Sequence, residues 1–197
     1  MNKTTRHDTC EHLLATGEEL CIHRGFTGMG LSELLTVAEV PKGSFYHYFR
    51  SKEAFGVAML ERYFARYHHQ VRRFLEEDAQ HPRQRLLDYY RLAYERFCQD
   101  SAFAACLSVK LSAEVCDLSE PMRVALDQGS KAIIAALAAT LQRAEQLGEV
   151  RLSASADITA ETLYMLWLGA SLQCKIRRDS AALSYACDAI ERMLPTA

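Results

Sequence analysis

The chain has 197 residues, of which 49% are hydrophobic, and its formal net charge is -2 at pH 7. This length and apolar content allow one or two modules with a sizeable core, and they exclude a string of several independent domains. The near-neutral charge excludes a uniformly basic nucleic-acid binder, so a site for DNA requires a local cluster of positive charge.

The first residues of the chain, its most apolar stretch and its cysteines favour a cytoplasmic protein. The first eight residues turn polar and acidic, where a signal peptide requires an unbroken apolar stretch. The most apolar later stretch, residues 163–170, is soon interrupted by Gln173 and Lys175, short of the roughly 20 residues that span a bilayer. The seven cysteines include no Cys-x-x-Cys pair, which argues against a disulfide framework and a zinc ribbon. We expect a soluble protein with free thiols, no membrane partner and no metal.

Apolar residues recur at three- and four-residue spacing, which predicts an all-α fold. The first helix is predicted from Thr5 to His23, with Gly25 as its left-handed cap. A short helix follows from Leu31 to Ala38, and Pro41 is predicted in the first turn of another short helix that runs to about Tyr48. Two short helices joined by a tight turn predict a helix-turn-helix.

A long helix is predicted next, from Lys52 to about Glu77, with Ser51 as its N-cap. Its candidate inward positions are Phe55, Met59, Leu60, Tyr63 and Phe64. Further helices are predicted at residues 82–99, 102–116, 119–147, 157–177 and 181–193, each bounded by polar, glycine or proline residues.

Residues 41–52 carry several cations and no carboxylate, which suits a helix in a DNA groove. The side chains suited to phosphate oxygens are those of Lys42, Tyr46, His47, Arg50 and Lys52. Gly43 has no side chain to hold the backbone away from a duplex, and Lys42 and Ser44 can reach base edges. We expect Phe45 and Phe49 to pack in the core of the module.

An ordered set of motifs covers the N-terminal region: Gly25-Phe26, Leu34-Leu35, Ala38, residues 42–49 and residues 51–53. The set closely resembles the DNA-binding signature of the TetR family of transcriptional repressors, over roughly Leu13 to Leu60. The resemblance implies backbone contacts by Lys42, Tyr46, His47 and Lys52, with Lys42, Gly43 and Ser44 nearest the bases. It also implies a DNA-binding domain at residues 1–50 and an effector-sensing and dimerisation domain at residues 51–197.

This chain departs from the family pattern at three places. Met29-Gly30 replaces the customary threonine pair, Glu39 replaces the turn glycine, and Pro41 replaces a capping serine. These changes affect one expected phosphate contact and leave the predicted fold unchanged.

A second resemblance concerns residues 41–62 and 106–119, which are similar to an electrophile- and oxidant-responsive branch of the family. It implies that Cys106 is a redox sensor. Electrophiles and hypochlorite react with thiolate, and Lys110, one helical turn from Cys106, can lower the pKa of that thiol. Lys175 is a second candidate cation, whose amine could trap an oxidised sulfur on Cys106, and Cys116 is the next candidate thiol. The alternative is that Cys106 is a small buried hydrophobe.

The small residues Gly169-Ala170-Ser171 and the last predicted helix resemble the four-helix dimer interface of the family, although intramolecular packing would use the same residues. A homodimer would present two recognition helices to major grooves about 34–36 Å apart. The long helix from Lys52 would then act as the lever between effector domain and DNA.

The sequence thus predicts a repressor that leaves a palindromic operator in double-stranded DNA when small electrophiles or oxidants modify a cysteine. The alternative inducer is an apolar small molecule bound reversibly in the C-terminal core, which Phe97, Phe103, Tyr164 and Trp167 could line. An enzyme is disfavoured, since the chain has no Glu-x-x-His pair and no Gly-x-Ser-x-Gly elbow. We expect no catalytic residue and no cofactor.

Overall fold

The computed structural model describes residues 3–77, 81–100 and 107–197. In these ranges the chain forms nine α-helices and no strand, so the all-α prediction is confirmed. The helices are α1 (Lys3–Gly28), α2 (Leu31–Val37), α3 (Lys42–Tyr48), α4 (Lys52–Glu76), α5 (Pro82–Asp100), α6 (Leu107–Val115), α7 (Glu120–Gln146), α8 (Ala156–Arg177) and α9 (Ala181–Met193). The predicted start of the sixth helix at residue 102 lies outside the described residues.

The predicted break of the first helix at Gly25 is confirmed, but one further helical turn, which was not predicted, follows it. Gly25 interrupts the helix with φ 79° and ψ 171°, a positive φ that favours glycine, but the helical path resumes and ends at Gly28. It resumes because the carboxylate of Glu114 accepts hydrogen bonds from the backbone N–H groups of Phe26 and Thr27, which follow the break. A helix start with satisfied N–H groups can be stable without a local cap.

The turn between α2 and α3 agrees with the prediction except at Pro41. Glu39, at the position of the family's turn glycine, adopts a positive φ of 53°. Pro41 was expected inside the first turn of α3 but is its N-cap, because its ψ of 144° is extended and the helix begins at Lys42. Proline loses nothing at this boundary, since its missing N–H is not needed there.

Helix α4 begins as predicted. The Oγ of Ser51 accepts a hydrogen bond from the N–H of Ala54 at 3.0 Å, the geometry of an N-cap. Of the predicted inward residues, Phe55, Met59, Leu60 and Phe64 are buried and Tyr63 is half-buried. The apolar spacing therefore identified the buried face of this helix correctly.

The described residues fall into two compact units. One is drawn from Met1–Ala65 and Ala104–Gly129, and the other from Arg66–Phe103 and Ser130–Ala197. Helices α4 and α7 contribute residues to both units. Buried large side chains of the first unit are Phe45, Phe55, Met59, Leu111 and Met122, and those of the second are Leu75, Leu86, Leu141, Leu163 and Ile190.

By length and composition alone, α7 is apolar enough to cross a membrane, and it is the one described helix of this kind. A core helix meets the same two criteria. Ile133, Leu137 and Leu141 on α7 are each at most 1% exposed, so its apolar face packs inside the fold. We interpret α7 as a core helix.

A close approach between α4 and α7 requires Gly129. A Cβ built on Gly129 would lie 2.1 Å from Cγ of Phe64, a side chain that is 4% exposed. We expect Gly129→Ala to lower the free energy of unfolding, because overpacking costs about 1–3 kcal/mol against a gain in helix propensity of at most about 1 kcal/mol. Urea denaturation measures the change, and adding Phe64→Leu should restore part of the loss. A single variant with the wild-type midpoint would contradict the close approach.

Candidate functional site

Helix α3 is held to the protein by one buried aromatic side chain. Phe45 is 0% exposed, and its ring centroid lies 5.3 Å from that of Phe49 and 5.6 Å from that of Phe55 at the start of α4. Phe49 and Phe55 contact each other at 5.1 Å. The predicted core role of Phe45 and Phe49 is confirmed, and this cluster orients the opposite face of α3.

The opposite face of α3 is exposed to solvent. Its members are Lys42, Gly43, Tyr46 and His47, with Ser44 partly exposed beside them. The structure therefore brings every predicted DNA-contact residue of α3 onto one outward surface. Tyr46 is 51% exposed, and its ring meets that of Phe45 edge-on at 5.5 Å, which leaves its hydroxyl available to an external acceptor.

Gly43 has no packing role among the described residues. A Cβ built on it would meet no atom within 4 Å. The absence of a side chain at this position is thus not required by the fold, which is the pattern expected where another molecule approaches the backbone closely.

Lys52 is in a different situation from the residues of α3. Its Nζ donates a hydrogen bond to the carbonyl oxygen of Phe26 at 2.7 Å and lies 4.7 Å from the centroid of the Phe26 ring. The ammonium therefore ties the start of α4 to the end of α1. Since an ammonium has three donors, this tie does not consume its capacity, and a phosphate contact by Lys52 stays a prediction.

Sequence reasoning missed Glu114. Its carboxylate, on α6, accepts hydrogen bonds from the N–H of Phe26 at 3.1 Å, the N–H of Thr27 at 2.6 Å and the hydroxyl of Thr27. Burial opposes ionisation, but the hydrogen bonds from Thr27 and Phe26 outweigh it and hold the pKa of Glu114 below its usual value. No local pattern reveals this contact, because 88 residues separate Glu114 from Phe26.

The predicted sensor residues are placed only in part. Cys106 lies outside the described residues. Cys116, directly after α6, is exposed. Lys175 on α8 is half-buried and follows Cys174, which is 0% exposed. These positions leave the roles of Cys106, Cys116 and Lys175 as predictions.

Other thiols are in environments that suppress reactivity. Burial, reinforced by Glu114, raises the pKa of Cys21 to about 12. Burial followed by the charge of Asp188 raises the pKa of Cys187. Since the thiolate is the reactive form, neither thiol is suited to rapid reaction at neutral pH. The exposed described thiols are Cys98 and Cys116.

An apolar stripe is exposed along α8. Its large members are Ile158, Met165, Leu172 and Ile176, between 45% and 65% exposed, and Tyr185 on α9 is 65% exposed. The spacing from 158 to 165 to 172 is that of a heptad, the repeat of packed helix pairs. Gly169 lies within the stripe, and a Cβ there would meet no atom within 4 Å, so a second helix can approach. Ala170, by contrast, is buried against α9 within the chain.

The aromatic residues predicted to line a pocket are used in packing where the structure describes them. Phe97 and Trp167 pack against a buried cluster of Ala170, Cys174, Leu183 and Ala186. Tyr164 is half-buried, and Phe103 lies outside the described residues. A more unusual group is Tyr90, whose ring lies 5.0 Å from that of Trp167 and whose buried hydroxyl has no hydrogen-bond partner among the described residues.

An outward helix with cations and no carboxylate, set on a helix-turn-helix, defines the class of helix-turn-helix regulatory proteins. Residues 13–59 match the model of bacterial regulatory proteins of the tetR family, and residues 82–190 match that of the tetracyclin repressor-like C-terminal domain. The chain belongs to the TetR family, and the resemblance in its sequence is confirmed.

Relatives of known name match most or all of the chain. The chain is 54% identical to the HTH-type transcriptional repressor NemR of Escherichia coli strain K12, over 100% of this chain and 98% of the relative. It is 34% identical to the transcriptional regulator AcuR of Cereibacter sphaeroides, over 84% of this chain and 76% of the relative. The crystal structure of the reduced form of E. coli NemR superposes with a TM-score of 0.90 at 51% identity, covering 97% of this chain and 99% of that chain.

Substitution of Gly43 tests the outward face of α3. We expect Gly43→Ala to leave the fold intact or stabilise it by up to about 1 kcal/mol, because alanine favours the helix and meets no neighbour. The added methyl should weaken binding to a duplex selected by the wild-type chain by roughly tenfold, equivalent to about 1.4 kcal/mol. Thermal unfolding and fluorescence anisotropy measure the two effects.

Glu145→Ala is the control, since it also places alanine on an exposed helix surface but on α7. Equal affinities for the wild type and Gly43→Ala would remove this part of α3 from the interface.

Proposed function

We propose that the chain is a homodimeric transcriptional repressor of the bacterial cytoplasm. It binds a palindromic operator in double-stranded DNA and leaves it when reactive electrophiles or oxidants modify a sensor cysteine. The observation that carries the DNA-binding part is the outward face of α3, where Lys42, Tyr46 and His47 are exposed beside Gly43. The full-length similarity to a transcriptional repressor supports the regulatory part.

The chemistry of α3 fits a recognition helix. Lys42, Tyr46 and His47 can donate to phosphate oxygens, and Lys52 has donors beyond the one used on Phe26. Lys42, Gly43 and Ser44, in the first turn, lie at the end of a recognition helix that meets base edges. Neutralised phosphates release counterions, so operator affinity should fall steeply with salt concentration.

The exposed stripe on α8 supports a symmetric dimer. A contiguous apolar face on a helix surface is unfavourable in water and marks an interaction site. A two-fold axis through the stripe would place each Gly169 against the partner helix and would bury Met165, Leu172 and Ile176 of both subunits. Two copies then read two half-sites, which is why the operator is palindromic.

The proposed sensor is the thiolate of Cys106. Similarity of residues 106–119 to an electrophile-responsive branch assigns the role to Cys106, with Lys110 favouring its thiolate. An electrophile forms a carbon–sulfur bond with that thiolate. Hypochlorite oxidises the thiolate to a sulfenic acid, and the amine of Lys175 can then form a sulfur–nitrogen bond with loss of water. The related crystal structure is described as a reduced form, which fits a protein with a second, oxidised state.

One observation favours the alternative inducer, an apolar small molecule in the C-terminal core. Tyr90 is 2% exposed, lies beside Trp167 and has an unpaired hydroxyl among the described residues. Burying a hydroxyl without a partner is unfavourable, and a ligand with one polar acceptor would relieve that cost. Such a ligand would act without any cysteine.

The α8 stripe is tested by charge. We expect Leu172→Glu to convert the dimer to a monomer, since each interface would bury two uncompensated carboxylates. Operator affinity should fall with it, because a monomer reads one half-site. Light scattering coupled to size exclusion measures the mass. Leu147→Glu is the matched control, since Leu147 is 56% exposed at the end of α7. A dimeric Leu172→Glu variant would place the interface elsewhere.

The sensor is tested by titrating reduced protein against its selected duplex, before and after stoichiometric N-ethylmaleimide or hypochlorite. We expect treatment to release the wild type but not Cys106→Ser, because serine forms no thiolate. Cys98→Ser, which removes a thiol that is exposed in the structure, should respond like the wild type. Full release of Cys106→Ser would reject this sensor, and loss of release in Cys116→Ser would transfer the role to Cys116.

A further inference from the structure

We propose that Glu114 is a positioning residue for operator binding: its carboxylate on α6 holds the last turn of α1, which is the link into α2, and so couples α6 to the helix-turn-helix. The inference rests on the proposed DNA-binding function. It concerns how a change in the C-terminal half of the sequence reaches α3, which the surface of α3 alone does not explain.

Several hydrogen bonds converge on the carboxylate of Glu114. Both oxygens of Glu114 accept bonds, one from the N–H of Phe26 and the other from the N–H and the hydroxyl of Thr27. These N–H groups begin the helical turn that follows the break at Gly25, where no intrahelical carbonyl can serve them. Hydrogen bonds to a charged acceptor are worth more than neutral ones.

The backbone at Gly25 is shaped for the contact with Glu114. A Cβ on Gly25 would lie 2.6 Å from Oε2 of Glu114, and Gly25 has a φ of +79°. Glycine is therefore required twice at this position, once by conformation and once by the approach of the carboxylate. Because the contact depends on this conformation of Gly25, the carboxylate of Glu114 can form it in one position only. The contact can therefore define where α6 lies relative to the last turn of α1.

Phe26 is held from a second helix as well. Lys52 donates to its carbonyl oxygen at 2.7 Å, and a Cβ on Gly56 would lie 2.7 Å from its ring. The backbone of Phe26 thus lies between a carboxylate of α6 and an ammonium of α4. Helices α4 and α6 therefore both contact the segment that leads into α2.

The consequence for DNA binding follows from chain connectivity. Met29, 0% exposed, lies two residues after Thr27, and α2 begins at Leu31. A shift of α6 that removes the carboxylate leaves the N–H groups of Phe26 and Thr27 unpaired and loosens the start of α2. Glu114 lies eight residues after Cys106 and two before Cys116, so either proposed sensor is close to it in the sequence.

Three variants and one control test the proposal in the full-length chain. Glu114→Ala removes both acceptor oxygens, Glu114→Gln retains one, and Thr27→Val removes only the hydroxyl contact. Glu120→Gln is the control, because it removes one negative charge from an exposed position that pairs only locally, with Arg123. The DNA probe is a duplex selected from random sequence by the wild type, and circular dichroism verifies folding.

We expect Glu114→Ala to weaken binding of this duplex by roughly 5- to 150-fold, the usual range of allosteric coupling. Glu114→Gln should have an intermediate effect and Glu120→Gln none. Treatment with N-ethylmaleimide should weaken Glu114→Ala much less than the wild type, since both changes act through the same link. A purely structural contact would lower the unfolding temperature but leave the full response to N-ethylmaleimide.

Hydrogen exchange of the amides of residues 26, 27 and 31–37 gives a readout that does not need DNA. We expect faster exchange in Glu114→Ala and unchanged exchange in Glu120→Gln. Wild-type affinity and a full electrophile response in Glu114→Ala would overturn the proposal, as would unchanged exchange in α2. If Glu114→Ala does not fold, Glu114→Gln and Thr27→Val carry the same test.

The two proposals fail separately. A wild type that binds the duplex but ignores N-ethylmaleimide would reject the cysteine sensor, while the affinity of Glu114→Ala still decides the role of Glu114. A wild type that selects no duplex would reject the proposed function, and exchange in α2 would then decide whether Glu114 positions the helix-turn-helix.

Discussion

The burial of Phe45 against Phe49 and Phe55 is the contact on which the rest of the DNA-binding surface depends. Helix α3 has seven residues, far below the roughly 12–15 that a helix needs to persist alone in water. Its side chains therefore point outward in a defined direction only because Phe45 fixes the opposite face. The aromatic cluster stabilises the module and orients the residues that carry function, so the two roles cannot be separated at this position.

Thiol reactivity and burial impose opposite demands on this chain. Cys21 contributes to the core and has a pKa near 12, so it is protected from the reagents that a sensor must meet. A sensing thiol needs partial exposure and a nearby cation. The sequence places Lys110 one helical turn from Cys106, and in the structure Cys116 is exposed and interacts electrostatically with Arg123. A chain with seven cysteines can thus respond selectively, because burial raises the pKa of thiols such as Cys21 and Cys187.

Local features of the fold were predictable from the sequence, whereas long-range contacts were not. The apolar spacing identified the buried side of α4. Ser51 marked the start of α4, and Glu39 marked the turn between α2 and α3, because caps and turns depend on neighbouring residues. The continuation of α1 past Gly25 was missed because its acceptor, Glu114, is supplied from far along the chain. The same limit applies to Lys52: its charge was recognised, but its bond to Phe26 depends on a tertiary contact between two helices.

The free energy of the hydrogen bonds to Glu114 is of the size that regulation of DNA binding requires. A tenfold change in operator affinity corresponds to about 1.4 kcal/mol. A hydrogen bond to a charged group contributes about 1.5–3 kcal/mol, so the release of one carboxylate from Phe26 and Thr27 is sufficient to move affinity across that range. The rest of the chain does not need to rearrange, because the segment held by Glu114 leads into α2. The buried Phe45 then transmits any displacement of the helix-turn-helix to α3. In a symmetric dimer both half-sites would be affected at once, so the release of one carboxylate per subunit would be sufficient to switch the complex.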